Sequence, residues 1–153
     1  MTPTTNYSLN RSNAADITTH LFRADANFEP PLSSRVEIRE YAQKLYDMAE
    51  RFEAWINQDL VGLVAVYCNR LGGSKTFVSS VSVLPDCQGQ GIAGQLMRQC
   101  IEHVQNLGFK QIDLEVDQRN LAALALYRKL GFNTLRSSGP TLTMSMTLER
   151  QFK

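Results

Sequence analysis

Long apolar runs are missing from this chain. No stretch approaches the ~20 residues that cross a bilayer, and residues 1 to 10 are polar, so neither a spanning helix nor a secretory leader is expected and the protein is expected in the cytoplasm. Cysteine is scarce: Cys68, Cys87 and Cys100 form an odd set without paired spacing. They are expected as reduced thiols in a strand, a loop and a helix, with no disulfide and no metal. An excess of charge of one sign is also lacking. With 16 Lys and Arg against 15 Asp and Glu, the net charge of +1 gives neither nucleic acid nor an anionic membrane a reason to bind. Internal repeats and low-complexity tracts are absent as well. What remains is an ordinary globular composition, 43% hydrophobic over 153 residues. That suffices for one substantial core, so residues 1–153 are expected as a single domain with a partly polar tail over 1–10.

The chain is organised around Val81 to Met97. Val81-Ser82-Val83 reads as a strand end, Leu84 to Gln90 as a loop and Gly91 to Met97 as the start of a helix. A glycine-rich turn between a strand and a helix gathers free backbone N–H groups and the positive end of the helix dipole at one point. Such a point attracts phosphate. Gly89 permits a sharp bend, Gly91 a close backbone approach and Gly94 packing without a side chain. Pro85 stiffens the entry and Gln88 offers an amide beside it.

Two known phosphate loops compete for this stretch. Gly89-Gln90-Gly91-Ile92-Ala93-Gly94 satisfies GxGxxG, and Glu115 follows at about the distance that a dinucleotide-binding unit requires. That fingerprint turns straight out of the first strand of a parallel sheet, whereas here Leu84 to Gly89 intervene and a long segment comes first. A Walker loop fails because no Gly-Lys-Ser/Thr follows the glycines. A helix that merely starts after a glycine-rich turn is the plain structural alternative.

The run Gln88-Gly89-Gln90-Gly91-Ile92-Ala93 resembles the Q/R-x-x-G-x-G/A pyrophosphate loop of the GNAT superfamily, the acetyl-CoA-dependent N-acetyltransferases. Val83-Leu84-Pro85 resembles the strand end before that loop. A second block agrees: Glu115-Val116-Asp117, Asn120, Ala123 and Leu126-Tyr127-Arg128-Lys129-Leu130-Gly131-Phe132 resemble the family's next strand, its Asn and its L-Y-x-K-x-G-F helix end, in order and at the right distance. The resemblance spans about Phe77 to Phe132. It implies an α/β fold with a mixed central sheet, largely antiparallel in its N-terminal half and flanked by helices.

Periodicity gives compatible elements. Tyr7 to Asn10 reads as a short edge strand, and Ser12 or Asn13 starts a helix with Ile17, Leu21 and Phe22 on one face, closed by Pro30-Pro31. Ile38, Tyr41, Ala42, Leu45, Met48 and Ala49 mark an amphipathic helix over Val36 to Glu50. Arg51 to Ile56 and Leu60 to Cys68 form a hairpin across Asn57-Gln58-Asp59, Leu71 to Ser74 a turn, and Thr76 to Val83 the third antiparallel strand. Ile92, Leu96, Met97, Cys100, Ile101 and Val104 stripe the next helix, which Gly108 ends, with His103 half-buried near the stripe. Lys110 to Val116 is a strand whose acids Asp113, Glu115 and Asp117 share one face. Asn120 caps a helix that ends at Gly131, and Phe132 to Ser137 with Thr141 to Leu148 close the chain as a hairpin.

Acyl transfer from a thioester to an amine needs a held cosubstrate, a polarised carbonyl, a neutral amine and a proton for the leaving thiolate. The N–H groups from Gln88 to Ala93 (Gln88, Gly89, Gln90, Gly91, Ile92, Ala93) are expected to hold the pyrophosphate of acetyl-CoA. Backbone at Val81 and Val83 is expected to pair with the pantetheine amides like an added strand. The resemblance implies Tyr127 as the acid that protonates the thiolate, against a purely core role for a helical Tyr. It implies Asn120 as a contact to the pantetheine arm, a role compatible with capping. It implies Glu115, within an L-E-V segment, as the base, against a strand carboxylate that orients a neighbour or faces solvent. Where many relatives carry an acid on the preceding strand, this chain has Ser79, Ser80 and Ser82. The acceptor is expected to be an amine-bearing small molecule or peptide, and the assembly state, a homodimer included, stays open. A CoA-binding or regulatory module without turnover is the alternative from another class.

Overall fold

The computed structural model describes residues 4–68 and 75–148. Its elements run β1 (Thr5–Leu9), α1 (Ala14–Ala24), α2 (Ile38–Met48), β2 (Glu50–Ile56), β3 (Asp59–Cys68), β4 (Lys75–Val83), α3 (Ile92–Asn106), β5 (Gln111–Asp117), α4 (Leu121–Leu130), β6 (Asn133–Ser138) and β7 (Thr141–Thr147), with 3₁₀ turns at Asp25–Asn27, Leu32–Ser34 and Pro85–Cys87. The expected turn at Leu71 to Ser74 lies outside the described residues.

One sheet takes the order β1-β2-β3-β4-β5-β7-β6. Every pairing is antiparallel except β4 with β5. A parallel pair cannot be joined by a tight turn, and α3 supplies its crossover. The mixed sheet with an antiparallel N-terminal half is therefore as expected.

Two apolar layers cover the sheet. On one face Ile17 and Leu21 of α1 and Ala42 and Leu45 of α2 pack with Leu63 and Ala65 of β3. On the other, Leu96, Met97 and Val104 of α3 and Leu124 of α4 pack with Val64, Val66 and Leu114. The alternation of β3 sends its even-numbered valines to one layer and its odd-numbered Leu63 and Ala65 to the other. Gly62 fixes how near α3 comes, because a Cβ there would stand 2.7 Å from Ile92 Cγ2 and 3.1 Å from Leu96 Cδ1.

Local rules account for most boundaries. The side chain of Asn13 accepts from Asp16 N at 2.8 Å while Asp16 accepts from Asn13 N at 3.0 Å, a reciprocal capping box. α2 is shorter than the expected Val36 to Glu50, since the Glu37 side chain accepts from Glu40 N and caps it, and Ala49 is already extended. Phe22 and Met48, expected on apolar faces, are 48% and 66% exposed. The guanidinium of Arg39 lies over the Phe22 ring, 5.4 Å from its centroid, and His20 and Ala24 complete the buried side of α1 instead. Among the described residues no helix is long and apolar enough to cross a membrane.

A buried carboxylate ties the first strand and helix to the sheet. Glu53 is fully buried. It accepts from Ser8 Oγ, from the main-chain N–H groups of Arg11 and Ser12, from Ser12 Oγ and from Trp55 Nε1, with Arg51 Nε 3.4 Å away. A buried charge is tolerated where its lone pairs are satisfied in this way.

Candidate active site

β4 and β5 part company halfway along. Their parallel register runs from Lys75 opposite Gln111 to Val78 opposite Leu114 and stops. On the other edge of β4, Val66 faces Val78 and Ala65 faces Ser80, which leaves Ser79 as an extra residue. A bulge of this kind bends the strand and increases its twist, so from Ser79 to Val83 β4 has a strand partner on one edge only. A cleft of about 1060 Å³ opens there. Val81, Ser82 and Val83 line it on one side, and Glu115, Val116, Asp117, Asn120 and Tyr127 on the other.

The glycine loop closes one end of this cleft. Gly89 has φ +81° and Gly91 φ +79°, the left-handed region that L side chains rarely adopt. Gly91 is the N-cap of α3, and an added Cβ at either glycine would meet nothing within 4 Å. No side chain caps the first turn of α3, and Gly91, Ile92, Ala93 and Gly94 all border the cleft. The Gln88 amide turns back to donate to the Val83 carbonyl at 3.2 Å, joining loop to strand. Gln88, Gly89, Gly91, Ile92 and Ala93 line the cleft; Gln90 does not.

The three acids of β5 have different fates. They share one strand face, opposite Leu114 and Val116, as alternation requires. Asp113 is buried and accepts from Ser145 Oγ at 2.6 Å and Gln111 Nε2 at 2.8 Å. Asp117 accepts from Arg119 Nε at 2.9 Å and Nη2 at 2.8 Å, which holds its carboxyl down at about 2. Glu115 alone is exposed, and its carboxylate makes no hydrogen bond or ion pair among the described residues. Tyr127 reaches the cleft from α4 on the other side of the sheet. It is buried, stacked edge-on against Phe132 with centroids 5.9 Å apart, and burial pushes its phenol above the ordinary range. Its proton is retained at neutral pH. Asn120 caps α4 by accepting from Ala123 N at 3.2 Å, and it too lines the cleft.

Several residues in or behind the cleft wall carried no legible signal. Tyr41 of α2 donates to the main-chain carbonyl of Ser79, while its oxygen and Ser79 Oγ stand 2.5 Å apart. His20 of α1 bridges the Leu60 carbonyl and Ser82 Oγ. Glu29, from the segment between α1 and α2, approaches Arg119 Nη2 at 3.5 Å. All three depend on which distant segments pack together, and no local pattern reports that. Cys87 also faces the cleft; burial and then Asp86 raise its thiol pKa.

The chain is 40% identical over 70 residues to a mycothiol acetyltransferase from Saccharomonospora viridis, covering 45% of this chain and 23% of that one. It is 41% identical over 54 residues to the [ribosomal protein bS18]-alanine N-acetyltransferase of Escherichia coli, covering 35% of this chain and 36% of that one. The matches thus span well under half the length of either relative. Solved structures share the fold over nearly the whole chain. The ribosomal-protein-S18-alanine N-acetyltransferase from Escherichia coli superposes with TM-score 0.78 at 20% identity, covering 98% and 97% of the two chains. The PaiA N-acetyltransferase from Thermoplasma acidophilum, solved in complex with coenzyme A, superposes with TM-score 0.75 at 16% identity, covering 93% and 99%. The model of the acetyltransferase (GNAT) family matches residues 16–132, more than half of the sequence, and the chain belongs to that family.

Proposed function

We propose that this acetyltransferase moves the acetyl group of acetyl-CoA to a primary amine in a direct ternary complex, without a covalent enzyme intermediate. One observation carries the reading: the splay of β4 from β5 beyond Val78 and Leu114 opens beside the left-handed glycine loop, with Glu115 and Tyr127 reaching it from opposite faces of the sheet.

The N–H groups between Gln88 and Ala93 hold the pyrophosphate, where the α3 dipole favours negative charge. Main-chain groups of Val81 and Val83, on the free edge of β4, pair with the pantetheine amides as a strand would, and Asn120 bonds the same arm. Backbone N–H near the bulge polarises the thioester carbonyl. Glu115 takes a proton from the ammonium, the neutral amine forms the new C–N bond as the C–S bond breaks, Tyr127 gives its proton to the departing sulfur, and the new amide nitrogen sheds its surplus proton to water. Solvent then resets both groups. The two acid–base residues lie on different faces, as suits a carbonyl that the amine approaches from one direction while the thiolate departs in another.

The acceptor is an amine-bearing peptide or small molecule that enters from the α1–α2 side, where Phe28, Val36 and Tyr41 line the cleft. Residues 1–153 act as one domain, a reading supported by a single sheet with a core on each face. The test pairs CoA calorimetry with amine-dependent thiol release. Gly91→Val places a β-branched residue at positive φ, where backbone must meet phosphate, and should abolish CoA binding in a folded protein. Unchanged affinity would overturn the assignment. Tight binding of a nicotinamide cofactor would favour a dinucleotide site instead.

A further inference from the structure

His20 is 1% exposed, and the reaction scheme does not use it. Its Nδ1 lies 2.8 Å from the Leu60 carbonyl oxygen and its Nε2 2.7 Å from Ser82 Oγ. A carbonyl only accepts, so Nδ1 carries the ring hydrogen. Burial lowers the pKa to about 4, with Arg23 nearby acting in the same direction and the Leu60 carbonyl opposing. The ring is therefore neutral near pH 7 and Nε2 keeps its lone pair. Ser82 Oγ–H must then donate to Nε2. The hydroxyl proton is committed inward, and a half-buried serine that lines the cleft has only lone pairs left to offer.

We propose that Ser82 is a ligand-binding residue that accepts a hydrogen bond from an N–H donor held in the cleft, and that His20 is a positioning residue that fixes the polarity of its hydroxyl. The inference rests on the acetyl-CoA and amine reading of this cleft. Ser82 stands between Val81 and Val83 on the free edge of β4, on the side covered by α1. Two groups carry the required chemistry: an amide N–H of the pantetheine arm and the N–H of the acceptor amine. A freely rotating serine would serve donors and acceptors alike, whereas this one leaves any carbonyl placed against it unpaired.

A serine bonded to an imidazole is also how a nucleophile is activated. Here the imidazole is a weakened base, and its far nitrogen is held by a neutral carbonyl rather than by the carboxylate that stabilises an imidazolium. Direct transfer keeps Ser82 as a recognition group and moves no proton through it.

The test uses the full chain with CoA, an Ala-initiated peptide and spermidine as probes. Ser82→Ala should lose roughly 2- to 10-fold in ligand recognition, the equivalent of one net hydrogen bond, and Ser82→Thr should restore it. His20→Asn keeps a donor for Leu60 but removes Nε2, so it should reproduce the Ser82→Ala loss while the hydroxyl is still present. Weaker CoA binding by calorimetry identifies the pantetheine N–H. Unchanged CoA binding with a lower kcat/KM for an amine identifies the acceptor. Wild-type CoA affinity and turnover in a folded Ser82→Ala protein would overturn the inference alone, as would an acetyl group trapped on Ser82 by mass spectrometry. A wild type that fails to bind CoA would overturn the underlying reading as well.

Discussion

Tyr41 Oη donates to the main-chain carbonyl of Ser79 across 3.0 Å, so a helix of the acceptor wall is bonded directly to the bulge that opens the sheet. Ser79 has no register partner on β3 or β5, and the phenol supplies a donor for its carbonyl. Tyr41→Phe should cost about 1–2 kcal/mol of stability, the usual penalty for stranding buried polar groups. It should also raise the KM for the amine more than it weakens CoA, as separate titrations would show. An amine KM unchanged from wild type would detach Tyr41 from the acceptor wall.

Gly62→Ala probes the seat of α3. The new Cβ would stand 2.7 Å from Ile92 Cγ2 and 3.2 Å from Ala54 Cβ, closer than packed carbons approach, and Ile92 is the first residue of the helix after the glycine loop. Overpacking of this kind costs about 1–3 kcal/mol. Denaturant melts should show that loss, and CoA affinity should fall with it because the displaced helix start carries the pyrophosphate N–H groups. A fully stable variant would mean that α3 has room to move.

Cys87 lies beside the loop and invites an acyl-enzyme route, yet burial and Asp86 both raise its pKa. A nucleophilic thiol needs the opposite shift. Cys87→Ser should turn over at close to the wild-type rate, and peptide mass spectrometry during turnover should find no acetyl on Cys87. Near-total loss of activity would contradict direct transfer.

His20 makes stability acid-sensitive in a defined window. Its folded pKa of about 4 lies below the ordinary value of 6.5, so protonation is taken up by the unfolded chain first. The contribution is whole above pH 6.5 and is lost as pH falls through that value toward 4, at most about 3 kcal/mol. Denaturant melts at pH 7, 5.5 and 4.5 should fall accordingly. His20→Asn should be less stable at pH 7 and change less over the window. Parallel pH profiles for the two proteins would mean that folding leaves the His20 pKa unshifted.

Tyr127→Phe and Glu115→Gln separate chemistry from binding. Each should leave fold and CoA affinity intact while slowing the chemical step by roughly 10²- to 10⁴-fold, the range for a lost general acid or base. Glu115→Gln should recover partly at high pH, where more of the amine is already neutral. A loss that is uniform across the pH–rate profile would make Glu115 structural.

The parts of the site that local chemistry demands were legible in the sequence. Gly89 and Gly91 occupy the left-handed region, Asn120 caps α4 and Gly131 ends it, because each position admits few other residues. The strand order was legible only as far as an antiparallel N-terminal half feeding the loop. The bulge at Ser79 was not, since it is defined by what β3 places opposite it. Nor were His20 and Tyr41, whose partners lie 62 and 38 residues away in sequence. Phe22 and Met48 misled for a related reason: α1 and α2 bury narrow stripes against each other and the sheet, and an apolar residue one position off the stripe faces water.

The most direct measurement is thiol release from acetyl-CoA by the wild-type protein across a panel of primary amines, with the products identified by mass. Release that depends on the amine, gives an N-acetylated product and collapses in Tyr127→Phe and Glu115→Gln is the predicted result. Tight CoA binding with no amine in the panel accelerating release above background would contradict catalysis in this cleft and leave a CoA-binding module in its place.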